Sequence, residues 1–175
     1  MRRGKVLLAV AAIASLLVLP SAKTFADGNV VWTGLTIQQK KTAIINNALS
    51  YAIGSFGGEC KVWVQNVVYA ASNHVLLPQN NPAPYDYYWQ TDYHYHVAPQ
   101  WGRTIENVER GDMVQMHLTN GYPHTIIILY NDVVSGTIKF RESNVPLGSG
   151  KVNERIQTYA QFKAAVTGYT IYWIM

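Results

Sequence analysis

Gly57-Gly58-Glu59-Cys60-Lys61-Val62-Trp63-Val64-Gln65-Asn66-Val67-Val68-Tyr69-Ala70-Ala71 is the stretch on which the fold turns. The glycine pair breaks whatever precedes it, and the spacing predicts a helix from about Glu59 to Asn73. Cys60, Trp63, Val64, Val67, Val68 and Ala71 recur at intervals of three and four, which is one apolar stripe on a helix that buries one side. Cys60 falls in the first turn. The N-terminal end of a helix carries partial positive charge and unpaired N–H groups, both of which favour a thiolate over a thiol. The same N–H groups suit an oxyanion, and the glycines let a substrate approach the backbone. A blander reading is that Cys60 is simply one more residue of the buried stripe.

Upstream, Thr36-Ile37-Gln38-Gln39 has the form of a capping box. It predicts a helix to about Ala52, with Ile37, Ile44, Ala48 and Tyr51 on one face and Gly54 as its stop. Downstream, Leu76 to Trp101 shows neither helical nor strand period and is crowded with Pro, Asn, Tyr and Trp. A stretch of that length without regular structure is usually functional or mobile, and residues 78–101 read as an aromatic-rich insert. Strands follow at Met113–Leu118, His124–Tyr130 and Thr137–Val145, with the last two joined by a hairpin loop, Asn131–Gly136. A short helix near Tyr159–Val166 and a strand Tyr169–Ile174 end the chain. Helices first and antiparallel strands afterwards define an α+β domain rather than a doubly wound sheet.

The first residues stand outside this pattern. Arg2, Arg3 and Lys5 precede an apolar run, Val6–Leu19, and Thr24-Phe25-Ala26 offers small residues where a signal peptidase reads. The run is short for a membrane span, which needs about 20 apolar residues, and Pro20 ends it. Residues 1–26 are therefore expected to be a signal peptide, and 27–175 a single secreted domain that does not remain in the membrane. The whole chain has 14 Lys+Arg and 10 Asp+Glu. Four of those cations lie before residue 27 and none of the acids does, so the remainder is formally neutral. The basic pI belongs to the export segment and gives no support to nucleic-acid binding. An exported chain with one cysteine makes no internal disulfide, so Cys60 is an inert buried residue, half of an intermolecular bridge, or a thiol kept for chemistry. Nothing in the pattern calls for an oligomer, and a monomer is expected.

A nucleophilic cysteine needs a base. Of the five histidines, His74 sits at a helix end, His94 and His96 lie in the aromatic stretch, and His117 is at a strand end. His124 opens the apolar strand directly after a Gly-Tyr-Pro turn. On the returning strand Ile138, Phe140, Glu142 and Asn144 share one face. A symmetric hairpin sets Tyr130 opposite Ile138 and His124 opposite Asn144. A two-residue slip sets Glu142 there instead, and either way both polar residues stay on the His124 face. Orienting an imidazole is a good reason for them to be there.

Gly58-Glu59-Cys60-Lys61-Val62-Trp63-Val64, then Arg110-Gly111-Asp112-Met113-Val114, then His124-Thr125-Ile126-Ile127-Ile128, then Glu142-Ser143-Asn144 resembles, in order and in spacing, the CHAP family and more loosely NlpC/P60. The resemblance implies a papain-like α+β fold and a cysteine peptidase or amidase that cuts peptidoglycan, of endopeptidase or N-acetylmuramoyl-L-alanine amidase type. It also implies Cys60 as nucleophile, His124 as base, Glu142 as the residue that orients it, and Asn144 as a fourth polar member. Gly58, Trp89 and Trp101 are candidate substrate contacts. No acidic calcium loop and no cell-wall-binding repeat accompany these motifs, and neither a metal nor a cofactor is expected.

Two other classes compete. A binding module that kept this fold without its chemistry would use the aromatic stretch to hold glycan or a protein partner, and would have no need of a reactive Cys60. A metal hydrolase could draw on His94 and His96, two imidazoles on one side of a strand, but the nearby Asp86 and Asp92 have no diagnostic spacing.

Overall fold

A computed structural model describes Trp32, residues 34–74, Trp89 and residues 97–174. The expected signal peptide, most of the aromatic insert, and with it His94, His96, Asp86 and Asp92, lie outside the described residues. In chain order the described elements are α1 (Ile37–Ser50), α2 (Cys60–Ala71), β1 (Val97–Pro99), a 3₁₀ turn (Ile105–Asn107), β2 (Met113–Leu118), β3 (Pro123–Asp132), β4 (Thr137–Glu142), β5 (Asn153–Thr158), α3 (Tyr159–Ala165) and β6 (Val166–Ile174). The architecture is α+β. Six strands, every pair of neighbours antiparallel, form one sheet in the order β1-β6-β2-β3-β4-β5.

The capping box opens α1 as its residues require. Thr36 Oγ1 accepts from the Gln39 N–H at 3.2 Å, and Gln39 Oε1 accepts from the Thr36 N–H at 2.9 Å. The expected face of α1 is buried at Ile44 and Ala48 and partly at Tyr51, and it differs at its start. Ile37 is exposed, and Lys40 and Lys41 are buried beside Ile44, Ile45 and Ala48. Lys41 tolerates burial because its ammonium meets two carboxylates, Glu109 at 2.6 Å and Asp112 at 2.8 Å. Gly111, at φ +88°, is pressed so closely against α1 that a Cβ there would lie 2.7 Å from Lys41 Cβ. The carbonyls left open at the end of α1 are met by a buried arginine: Arg141 Nη1 donates to Ala48 O at 2.9 Å and to Tyr51 O at 2.7 Å.

α2 buries Cys60, Trp63, Val64, Val67 and Val68 of the expected stripe, and its last member, Ala71, is partly buried against the core. With Ile44, Ala48, Met113, Ile127 and Tyr172, the residues Trp63, Val64, Val67 and Val68 form the core between the helices and the sheet. A second core, including Val114, Met116, Ile126, Ile128, Ile138, Phe140, Phe162 and Ile171, fills the other face, partly under α3. Alternation along β3 decides the division, since Ile127 points to one core and Ile126 and Ile128 to the other.

Two elements, β5 and β1, depart from the sequence reading. β5 was not expected: Asn153–Thr158 is mostly polar, as suits an edge strand with one ladder partner. β1 lies within the stretch read as lacking period. α3 is the expected short helix, and it opens on a second capping box, Thr158 with Gln161, that repeats the chemistry of the first. The hairpin keeps the expected symmetric register at its open end, near the site, and departs from it only near the turn. Tyr130 pairs with Lys139 rather than Ile138, and the register shifts between Ile128 and Tyr130 so that Ile128 faces Phe140 and Ile126 faces Glu142. The strand ends at Glu142, and Asn144 adopts φ +67° instead of extending the ladder.

Candidate active site

Cys60 is the first residue of α2, with Glu59 as the N-cap. The entry to this helix is fixed by close packing. A Cβ on Gly57 would lie 2.6 Å from Ser143 Oγ and 2.8 Å from both Trp63 Cδ1 and Val152 Cγ2, so only glycine fits. Gly58 needs glycine for a different reason, its φ of +80°. The Gly57 and Gly58 N–H groups both donate to Gly150 O, at 2.7 and 3.0 Å. Ser143 Oγ donates to Gly58 O at 2.7 Å. Gly58 thus sets the position of the helix start through its backbone.

Cys60 is buried and is not in a disulfide. His124, also buried, is hydrogen-bonded to it, and on its other side His124 Nε2 lies 2.8 Å from Glu142 Oε2. Nδ1 is therefore the nitrogen that serves Cys60. Burial alone would lower the imidazole's proton affinity. The hydrogen bonds and negative charge of Cys60 and Glu142 outweigh that and raise its pKa to about 9. For Glu142, burial pushes the carboxyl up, but hydrogen bonds and charge from His124 and Arg155 leave it below the usual carboxylate range. Arg155 was absent from the sequence reading. From β5 its Nε donates to Glu142 Oε1 at 2.5 Å and its Nη2 to Glu142 Oε2 at 2.7 Å. Its guanidinium also lies 5.2 Å from the Phe140 ring centroid. No alternation of apolar and polar residues marks Asn153–Thr158, so the sequence carries no local signal for Arg155.

Cys60, His124 and Glu142 are brought together, and the other expected residues are placed differently. Asn144 does not extend the face of Glu142. Its Nδ2 donates to Glu59 Oε2 at 3.0 Å, and its Oδ1 accepts from the Gly148 and Gly150 N–H groups at 2.8 and 3.0 Å. It therefore ties the N-cap of α2 to the loop after β4. Trp89 is part of the core: it is 2% exposed and edge-on to Tyr172 at 5.2 Å, and its backbone N–H donates to buried Gln115. It presents no face to a substrate. Trp101 is exposed, but its turn follows β1, four strand positions across the sheet from β4. A pocket of about 310 Å³ does adjoin His124, walled by Met116, Tyr122, Phe140, Leu147 and Arg155. A larger hollow, about 670 Å³, runs between α1 and the C-terminal end of α2 and touches none of Cys60, His124 or Glu142. Among the described residues, no cluster of three or more His, Cys, Asp or Glu side chains could hold a metal ion.

Comparison with known proteins bears on the fold. No family model matches the chain, and no curated protein matches its sequence. Solved structures do match. The crystal structure of Ly7917 superposes with a TM-score of 0.52 at 14% identity over 78% of this chain. The crystal structure of Ly7917 with the hydrolyzing product of MDP superposes with a TM-score of 0.55 at 13% identity over 80%. The chain spans 62% and 63% of the length of those two chains. At such identity the likeness is one of fold.

Proposed function

We propose that the protein is a secreted cysteine hydrolase acting on amide bonds of peptidoglycan. Cys60 is its nucleophile, His124 its general base and acid, and Glu142 the residue that orients the imidazole. The observation that carries this reading is the chain of contacts from Cys60 at a helix N-terminus, through His124, to a buried carboxylate. That order of thiol, imidazole and acceptor is what nucleophilic acyl transfer needs. The resemblance of the ordered motifs to the CHAP family and the papain-like enzymes supports the cysteine chemistry. The choice of substrate is supported by the likeness in fold to Ly7917, which was solved with the hydrolyzing product of MDP.

In this mechanism the thiolate of Cys60 attacks the amide carbonyl carbon, and the carbonyl electron pair moves onto oxygen. The N–H groups of the first turn of α2 are the donors that meet that charge. As the C–N bond breaks, the His124 imidazolium gives its proton to the leaving amine, and a thioester remains on Cys60. The neutral imidazole then takes a proton from water, which attacks the thioester. Collapse releases the carboxylic acid and restores the thiolate beside the imidazolium.

The test is mass spectrometry of purified peptidoglycan treated with residues 27–175. New N-termini identify an endopeptidase, and freed sugar chains an amidase. Equal product with Cys60→Ala rejects the cysteine mechanism. Retention on peptidoglycan without any product favours a binding module.

A further inference from the structure

Arg155 has no part in the chemistry described above, yet it holds the far side of the same carboxylate. We propose that Arg155 is a positioning residue for the Cys60–His124 pair, acting through Glu142; this inference rests on the cysteine-hydrolase reading. Glu142 is fully buried and sits where two demands meet. Its Oε2 must lie in the plane and at the distance His124 Nε2 requires, and its charge must survive away from water. The guanidinium answers both. Nε and Nη2 form a planar fork that engages both carboxylate oxygens, so the carboxylate is unable to rotate about its own axis without breaking one of two charge-assisted bonds. Arg155 is in turn held over the Phe140 ring, and its strand pairs Phe140 directly with Arg155 across the β4–β5 ladder. The fork is thus built on the same sheet that carries His124 and Glu142, three adjacent strands in a row.

A purely structural ion pair between β4 and β5 would not need to share its carboxylate with the imidazole. This one does, because Oε2 receives both Arg155 Nη2 and His124 Nε2. Lysine supplies the charge but not the fork, and methionine supplies neither.

The experiment measures the rate of Cys60 alkylation by iodoacetamide between pH 5 and pH 10, alongside thermal unfolding, in wild type, R155K, R155M, E142Q and the double variant R155M/E142Q. In wild type the rate is expected to hold a plateau across pH 6–8. R155M is expected to lose the plateau and alkylate at least about tenfold more slowly at pH 6, the low end of the effect that groups supporting a ligand histidine have at metal sites. R155K is expected to recover part of the rate, and the double variant to be no slower than E142Q alone. An unchanged pH profile in R155M or R155K, with only the unfolding temperature lowered, overturns the proposal. So do effects of R155M and E142Q that multiply. If R155M does not fold, the R155K profile decides alone. A wild-type protein that alkylates only above pH 8 instead defeats the parent reading of a thiolate–imidazolium pair, an outcome separate from any effect of Arg155.

Discussion

His124 and Glu142 share a face of the sheet because of one residue that neither of them touches in sequence, Leu129. Near the turn, Asp132 pairs with Thr137 and Tyr130 with Lys139. Continued unbroken, that register would set Glu142 opposite Ile127, on the helix side of the sheet and away from His124. The irregularity at Leu129 absorbs one residue and sets Glu142 opposite Ile126, on the face that His124 occupies two positions earlier. The 2.8 Å contact between His124 Nε2 and Glu142 Oε2 follows.

That contact helps to hold the imidazolium up to about pH 9. In the proposed mechanism the imidazolium protonates the leaving amine, so the alkaline limb of kcat/KM against pH is expected near 9. Glu142→Gln removes the charge and should draw that limb down toward the ordinary histidine value of about 6.5. Turnover should fall by more than an order of magnitude. A limb that stays near 9 in Glu142→Gln would show that Glu142 does not hold the proton on His124.

The same shift links stability to pH. The folded His124 binds its proton more tightly than the unfolded chain does, so its stabilising contribution is complete below about pH 6.5 and is lost as pH rises through about 9. Urea unfolding midpoints should therefore fall between pH 6.5 and pH 9.5, and part of that fall should disappear in His124→Asn. Equal pH dependence in wild type and variant would contradict the assignment.

Asn144 makes a separable case. Its side chain forms three hydrogen bonds that join the N-cap residue of α2 to the loop at Gly148 and Gly150. Its backbone, at φ +67°, is in the region that disfavours a side chain. Asn144→Ala loses the bonds and keeps the strain, and should destabilise by about 2–4 kcal/mol. Asn144→Gly should recover about 1 kcal/mol of that by relieving the strain. Both should lower kcat, because the start of α2 is no longer pinned, with the alkaline limb left in place. A shifted limb in Asn144→Gly would mean that Asn144 acts on the imidazole after all.

The sequence made much of this legible, for local reasons. The Thr36 box, the stripe from Cys60 to Val68 and the run Met113–Leu118 each carry their own period or cap, and each lies where that pattern put it. What escaped depends on tertiary context. β5 is polar because it is an edge, so nothing local singled out Arg155. Lys41 is buried by partners 68 and 71 positions away, Glu109 and Asp112, which no local pattern shows. Trp89 was drawn to the substrate by its aromatic neighbours in sequence, but the core claimed it. Asn144 and Glu142 share a strand period on paper, and the chain leaves that period one residue after Glu142.

Lys41 gives the last test, because it stands on the Gly-Asp motif rather than on the site. Asp112 is fully buried, and burial raises its carboxyl pKa in spite of the opposing effects of Lys41, the Glu109 N–H and Arg103. The ammonium of Lys41 lies 2.8 Å from Asp112 Oδ1, and Arg103 Nη1 lies 3.1 Å from Oδ2. Lys41→Met keeps the packing against Gly111 but leaves Asp112 with one partly exposed cation in place of two. Removing one partner of a buried pair typically costs about 3–5 kcal/mol, and Arg103 should hold the loss to the lower end. The loss should also depend on pH in a definite sense. With less positive charge nearby, Asp112 takes up a proton more readily, and the neutral acid needs no partner. Destabilisation measured by urea unfolding should therefore be large at pH 7 and shrink toward pH 4. A penalty that is constant across that range would mean that lost packing of the lysine stem, not the uncompensated charge on Asp112, is what the variant removes.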